Sequence, residues 1–147
     1  MGTPMANRPL QALAQVVGYF VNTLPLRTHI NPDDRFISGL KNQHLSLLDV
    51  LERQHVPFGD IVKQVVTSRS QGVSPLVQVM FSLQNNDIPT LRLGEGQITI
   101  ETHAAQSMEQ DLIIECIEEH GQVTVNWRYA EALFSRSFIE QLAAQFE

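Results

Sequence analysis

The sequence has little charge and almost no cysteine, and each scarcity excludes a class of protein. Charged residues make up 18% of the 147 residues and apolar residues 43%, so the chain can bury a core and is not of the disordered type. The formal net charge is −6, and no dense block of Lys and Arg provides the footprint of nucleic-acid binding. No apolar run approaches the roughly 20 residues that span a bilayer. We therefore expect one domain without a nucleic-acid or membrane partner.

The single cysteine, Cys116, lies in the apolar run LIIECI. One cysteine cannot form an internal disulfide, and this usage fits the reducing cytoplasm. The first residues, MGTPMANRPL, lack the basic-then-apolar design of a signal peptide. We expect a cytoplasmic protein whose Cys116 is a buried, unreactive thiol.

The usual catalytic signatures are missing from the sequence. It contains no G-x-S-x-G, Walker A, G-x-G-x-x-G or C-x-x-C motif. Glu118 and Glu119 are adjacent on a predicted strand and therefore face opposite ways, which makes them poor partners for acid–base chemistry. The histidines lack the spacing of a metal site, and each is expected on the surface or in a turn: His29, His44, His55, His103 and His120.

The apolar periodicity predicts a mixed α/β fold with about five strands and three helices. The alternation of strands and helices is uneven, so we expect helices packed on a mixed sheet rather than a doubly wound fold. The first nine residues have the composition of turns. Strands are predicted over 16–26, 76–84, 98–102, 111–118 and 122–130, and helices over about 31–54, 58–66 and 135–147.

Helix boundaries are predicted from capping residues. Asn31 can cap the first helix with Pro32 in its first turn, and the HVPFGD break over 55–60 ends it. Ser135 or Ser137 can cap the last helix, since Ser137 and Glu140 have the spacing of a capping box.

Asn22 is an amide within the strongly β-prone run YFVNTLPLRTHI. Both faces of the predicted strand are mostly apolar, which favours a strand covered on both sides. Three interpretations remain open: an outward-facing polar residue, a structural amide bonded within the fold, or a site group directed into a cleft.

Five segments, in order, resemble the C-terminal portion of the condensation domains of nonribosomal peptide synthetases. They cover nearly the whole chain: GTPMANRP, VGYFVNTLPLR, RQHVPFGDIV, SPLVQVMFSLQN and VNWRYAEALF. The resemblance implies part of a chloramphenicol acetyltransferase-like lobe, roughly the last third of a full domain. We thus expect residues 1–147 to be a single partial domain.

The resemblance also implies a reaction. In such domains a tunnel between two lobes admits the phosphopantetheine arms of two carrier proteins, and an acceptor amine attacks a carrier-bound acyl thioester. The family's histidine motif, H-H-x-x-x-D-G, belongs to the N-terminal lobe, and this sequence lacks it. The chain is therefore expected to have no catalytic residue, no directly bound cofactor and no activity alone. The implied partners are the N-terminal lobe and carrier proteins.

Two substrate-positioning residues follow from the resemblance. Asn22 matches the family asparagine near the tunnel, where it could orient a substrate or serve as a structural amide. Arg8 matches the arginine of the loop at the tunnel floor, where anchoring that loop is its other role. The excursion over about 84–107 resembles the latch that crosses to the N-terminal lobe.

The sequence also departs from the family pattern. His55 and Gly59 replace an aspartate and a glutamate, and Val77 replaces a phenylalanine. Glu109 and Gln110 replace a lysine and a phenylalanine. None of these changes overturns the resemblance. An alternative function is a non-catalytic module that binds a carrier protein or synthetase partner, with the exposed sheet edge covered by a helix or by self-association. A complete small acyltransferase is a third and more distant alternative.

Overall fold

The computed structural model describes residues 1–68, 72–84, 92–94, 96–97, 108–119 and 121–146. The chain divides into two compact units, Met1–Phe81 and Ser82–Glu147. The elements of the first unit are β1 (Gly2–Met5), a 3-10 turn (Gln11–Leu13), β2 (Asn22–Pro25), α1 (Phe36–Glu52), α2 (Phe58–Val65) and the start of β3 (Val79–Gln84). Those of the second unit are the rest of β3, β4 (Arg92–Leu93), β5 (Gly96–Gln97), β6 (Leu112–Glu119), β7 (Gln122–Tyr129) and α3 (Arg136–Phe146).

The predicted turn at the N-terminus is wrong, because residues 2–5 form β1. This strand pairs antiparallel with β2, and Pro4 lies opposite Thr23. The amide of Leu26 donates to the carbonyl of Met1 at 2.7 Å. Because hydrogen-bonded pairs alternate along an antiparallel ladder, the odd-numbered residues of β1 direct their main-chain N–H and C=O groups toward β2. Pro4 alternates with these residues, so its missing N–H removes no hydrogen bond to β2.

The predicted strand over 16–26 is also wrong in its first half, since β2 begins only at Asn22. Residues 16–21 are not in a strand, although their composition is β-prone. The loop that precedes them is held by the side chain of Arg8, which binds the carbonyls of Leu13 and Val16. The β-prone composition of residues 16–21 is thus not sufficient to place them in the sheet.

Helix α1 begins later than predicted, because Asn31 caps a turn instead. The side-chain oxygen of Asn31 accepts from the amide of Asp33 at 3.2 Å, and its carbonyl accepts from the amide of Asp34 at 3.1 Å. This local turn satisfies the amides that a helix start would use, and α1 begins at Phe36. Its end at Glu52 and the start of α2 at Phe58 agree with the predicted break.

Gly2 packs so closely against Val77 that a side chain on Gly2 has no room. Val77 is 1% exposed, and a Cβ added at Gly2 would lie 2.7 Å from one of its methyl carbons. Leu24 and Val62 are the other buried apolar side chains of this unit. Leu76 has a positive φ of 62°, and the amide of Val77 donates to the carbonyl of Pro75 at 2.7 Å. β3 begins after this tight turn, at Val79, which is three residues later than predicted.

The second unit contains the hairpin that the sequence predicts. β6 and β7 pair antiparallel from Leu112 opposite Tyr129 to Glu119 opposite Gln122. Helix α3 is capped by the hydroxyl of Ser135, which accepts from the amide of Phe138 at 3.2 Å, so Ser137 is not the cap. Among the described residues of this unit, the buried apolar ones include Cys116, as predicted, together with Leu112 and Ile139.

The strands have the order β2-β1-β3-β6-β7, with β1 parallel to β3 and antiparallel to β2. This mixed sheet with three α-helices confirms the predicted fold class. The predicted strand over 98–102 and nearly all of the latch-like excursion lie outside the described residues. Within the described ranges, no helix is long and apolar enough to cross a membrane.

Candidate functional site

The amide of Asn22 joins the start of β2 to the connection between α1 and α2. Its nitrogen donates to the carbonyl of Gln54 at 2.9 Å and to the carbonyl of Val56 at 2.8 Å. Its oxygen accepts from the amide of Phe58 at 3.1 Å. Both N–H groups of the side chain are therefore used on main-chain carbonyls. We call this set of three hydrogen bonds the Asn22 clamp.

The clamp satisfies groups that the chain cannot satisfy locally. Phe58 is the first residue of α2, and the amides of a first helical turn have no partner inside the helix. Pro57 precedes it and is the N-cap, and no side-chain cap bond is made there. Asn22 supplies the missing acceptor from a distant strand, so the clamp fixes where α2 begins.

Arg8 anchors the loop between β1 and β2. Its guanidinium donates to the carbonyl of Val16 at 2.8 Å and also to the carbonyl of Leu13. The same group lies 4.2 Å from the centroid of the Phe20 ring, which is a cation–π contact. Asn7, just before it, has a positive φ of 49°, a conformation that asparagine tolerates better than most residues.

The two predicted positioning residues share one end of the β1–β2 ribbon. Met5, the last residue of β1, lies opposite Asn22, and Arg8 follows three residues later. Their side chains nevertheless bind different segments: Arg8 binds the 10–20 loop, and Asn22 binds the start of α2. Both contacts are structural, and a direct role toward a substrate stays a prediction for each.

Sequence analysis did not identify the partners of these two side chains. The atoms that Asn22 binds are main-chain atoms more than 30 residues away, so no side-chain pattern marks them. The one available signal was the unusual HVPFGD break, which is where the clamp attaches. Phe20, whose ring contacts Arg8, lies in the predicted strand over 16–26 and no sequence feature marked it as a partner.

The charged groups of the described residues do not assemble a proton-transfer site. His29, His44 and His55 are exposed, and no group of three or more His, Cys, Asp or Glu could hold a metal within the described ranges. Arg53, just after α1, donates a hydrogen bond to the Asp49 carboxylate, which raises the pKa of Arg53, and the bond that Arg136 donates to Glu140 in α3 raises the pKa of Arg136 in the same way. Both arginines are cations at every physiological pH, so neither acts as a proton donor.

Comparison with known families identifies the chain. The family model of the condensation domain matches residues 1–147. The chain belongs to the condensation-domain family. This match confirms the resemblance that the five sequence segments indicated.

Curated relatives of this condensation-domain chain are peptide synthetases. It is 33% identical over 146 residues to surfactin synthase subunit 2 of Bacillus subtilis (strain 168), covering 99% of this chain and 4% of the relative. It is 31% identical over 147 residues to malpibaldin synthetase of Mortierella alpina, covering 100% of this chain and 3% of the relative. The chain thus spans only a few per cent of the length of these relatives.

Solved structures agree on the fold of the condensation-domain chain. The X-domain from teicoplanin biosynthesis superimposes with a TM-score of 0.82 at 20% identity, over 97% of this chain and 34% of that one. The starter condensation domain of rhizomide synthetase gives a TM-score of 0.78 at 19% identity, over 99% of this chain and 34% of that one. The chain therefore corresponds to about a third of each solved chain.

Proposed function

We propose that this chain forms one wall of the reaction tunnel of a nonribosomal peptide synthetase condensation domain. The observation that carries the proposal is the family match over the whole chain, together with relatives that are peptide synthetases. The correspondence to about a third of a solved condensation domain supports a contribution of one wall and not of a complete site.

The proposed reaction is amide formation between two carrier-bound groups. The acceptor amine attacks the acyl carbon of the donor thioester, the C–N bond forms, and the C–S bond breaks. The amine loses a proton, and the thiol of the donor phosphopantetheine arm is released. A positioned base assists the proton transfer, and we assign that role to the histidine motif of the N-terminal lobe, which this sequence lacks.

Asn22 and Arg8 act in this proposal by shaping the tunnel wall. Arg8 holds the 10–20 loop through two carbonyls and the Phe20 ring, and Asn22 fixes the start of α2. Positioning residues of this kind affect rate because a displacement of about 1 Å can cost on the order of 100-fold. The proposed partners are the N-terminal lobe and carrier proteins, in the cytoplasm, with phosphopantetheine arms as substrates and not as resident cofactors.

The test is amide formation with two loaded carrier proteins, measured by mass spectrometry of the released condensation product. The 147-residue chain alone should give no product above the uncatalysed background. Adding a separately expressed N-terminal segment that carries the H-H-x-x-x-D-G motif should produce turnover, and substitution of both histidines of that motif should abolish it. Turnover by the 147-residue chain alone would contradict the proposed division of labour.

The alternative function, a binding module without chemistry, makes a different prediction. A carrier protein would bind the chain, the affinity would survive Asn22→Ala, and no N-terminal segment would restore turnover. Isothermal titration calorimetry with holo carrier protein measures binding, and the turnover assay on the same samples measures chemistry. The two measurements together separate the two functions.

A further inference from the structure

Phe20 is the half-buried side chain of the segment that precedes β2. Residues 14–21 all lie within the described part of the chain, and each of them except Phe20 is exposed. The Arg8 guanidinium lies 4.2 Å from the centroid of the Phe20 ring. A Cβ built at Gly18 would lie 3.0 Å from the ring carbon Cε2, closer than the roughly 3.5–4.0 Å of an ordinary carbon contact. The ring is therefore closely held by Arg8 and by the main chain of Gly18.

The Phe20 ring is attached next to the open end of the β1–β2 ribbon. Met5, the last residue of β1, lies opposite Asn22, the first residue of β2. The last pair of a strand ladder has a neighbouring pair on one side only, so it frays unless another contact ties it down. Only Val21 separates Asn22 from Phe20, and two residues span at most about 7 Å. The contact between Phe20 and Arg8 is therefore placed to tie down this end of the ribbon.

We propose that the Arg8–Phe20 contact and the Asn22 clamp form one coupled device, in which the position of the 10–20 loop sets the start of α2. Arg8 holds the loop and the Phe20 ring, and Asn22 extends from the same ribbon end to the amide of Phe58. Release of the loop lets the ribbon end fray, and the clamp then loosens. Coupling between two sites is reciprocal, so removal of the clamp also loosens the loop.

The coupling has a consequence for the tunnel wall, and this consequence rests on the proposed function. A phosphopantetheine arm that displaces the 10–20 loop would also loosen the start of α2, so the two segments would respond to a substrate as one surface. The coupling itself is a property of the 147-residue chain and needs no carrier protein. It can therefore be tested without turnover.

Amide hydrogen exchange on the 147-residue chain tests the coupling at two probes. The amide of Val16 donates to the carbonyl of Leu13 at 3.2 Å and reports on the loop, while the amide of Phe58 reports on the clamp. Each exchange rate is divided by that of the Leu47 amide inside α1. Global unfolding opens all three amides together, so a rise in either ratio measures local opening.

Substitution of Phe20 tests the tie. Phe20→Ala should raise both ratios at least fivefold, and Phe20→Tyr, which keeps the ring, should leave both within twofold of wild type. Tyr19→Ala is the matched control, because Tyr19 is the neighbouring aromatic residue and is 91% exposed; it should also leave both ratios within twofold. Arg8→Lys removes the planar contact without shortening the aromatic side chain and should raise both ratios at least threefold. This milder variant keeps the test decisive where Phe20→Ala fails to fold.

Substitution of Asn22 tests the coupling from the other side. The three hydrogen bonds of the clamp all go to residues 54–58, yet Asn22→Ala should raise the Val16 ratio at least threefold. Coupled residues also have non-additive effects. In the double variant Phe20→Ala/Asn22→Ala, the Phe58 ratio should therefore fall short of the product of the two single changes by at least threefold.

Three results would overturn the inference. A Phe20→Ala chain in which the Val16 ratio rises while the Phe58 ratio stays within twofold has a loop that is independent of α2. An Asn22→Ala chain with an unchanged Val16 ratio lacks the reciprocal effect. Equal effects of Tyr19→Ala and Phe20→Ala would show that the ring contact with Arg8 is not the tie. None of these measurements involves loaded carrier proteins, so failure here is distinct from failure of the proposed function.

Discussion

Removing the Asn22 clamp should detach the start of α2 from β2. Asn22→Ala deletes two donors and one acceptor and leaves the carbonyls of Gln54 and Val56 and the amide of Phe58 without that partner. Asn22 is half-buried, so water replaces these contacts only in part. The effect should therefore appear in global stability and, more sharply, in the first turn of α2.

The magnitude follows from the three hydrogen bonds. Each contributes about 0.5–1.5 kcal/mol net, and a lost cap costs about 1 kcal/mol. Since the partners keep partial access to water, we expect a loss of about 2–3 kcal/mol in the free energy of unfolding, below the upper sum of the separate bonds. Asn22→Asp keeps an acceptor for Phe58 but turns an oxygen toward two carbonyls, so it should cost more than Asn22→Ala.

Urea denaturation followed by far-UV circular dichroism measures the global effect, and amide hydrogen exchange measures the local one. The amide of Phe58 should exchange at least tenfold faster in Asn22→Ala, because it loses its only described acceptor. Asn126→Ala, at an exposed asparagine of β7, is the control and should change stability by less than about 0.5 kcal/mol. An Asn22→Asp variant as stable as wild type would refute the reasoning, since the two donor bonds would then contribute nothing.

Three further predictions concern the packing and backbone of the first unit. Gly2→Ala should cost about 1–3 kcal/mol, because the added carbon lies 2.7 Å from Val77, and Val77→Ala should relieve it with a coupling of about 1 kcal/mol in a urea double-mutant cycle. Leu76→Gly should be about 1 kcal/mol more stable than Leu76→Ala, the reverse of the usual order, since φ at Leu76 is 62°; the usual order would contradict this. Arg8→Lys should speed amide exchange in the 10–20 loop, because lysine cannot reproduce the planar contact with Phe20, and unchanged exchange would contradict it.

The β6–β7 hairpin was predictable because its information is local. Alternating apolar and polar residues, a glycine at the turn and two strands of equal length specify it without reference to the rest of the chain. Gly121 does have a positive φ, of 75°, as that turn requires. The break between α1 and α2 was predictable from the local HVPFGD sequence, while the cap of α3 was left open between Ser135 and Ser137.

The elements that were predicted wrongly depend on contacts across the sequence. Pro4 gave β1 the composition of a turn. Whether its missing N–H interrupts the pairing with β2 can be judged only from the register of the two strands. The β-prone run before Asn22 lies outside the sheet and its first residue, Val16, is bound by the distant Arg8, and propensity reveals neither. The clamp itself was one of three open interpretations, because its partners are main-chain atoms that every residue has.

The clamp binds only main-chain atoms, and this has a consequence for sequence change. His55 and Gly59 are exposed beside it, and a Cβ built at Gly59 meets nothing within 4 Å. Substitutions at these two positions can therefore accumulate without moving the start of α2. The surface formed by these two positions can therefore vary in sequence, by natural drift or in a designed library, while the position of α2 relative to β2 stays the same.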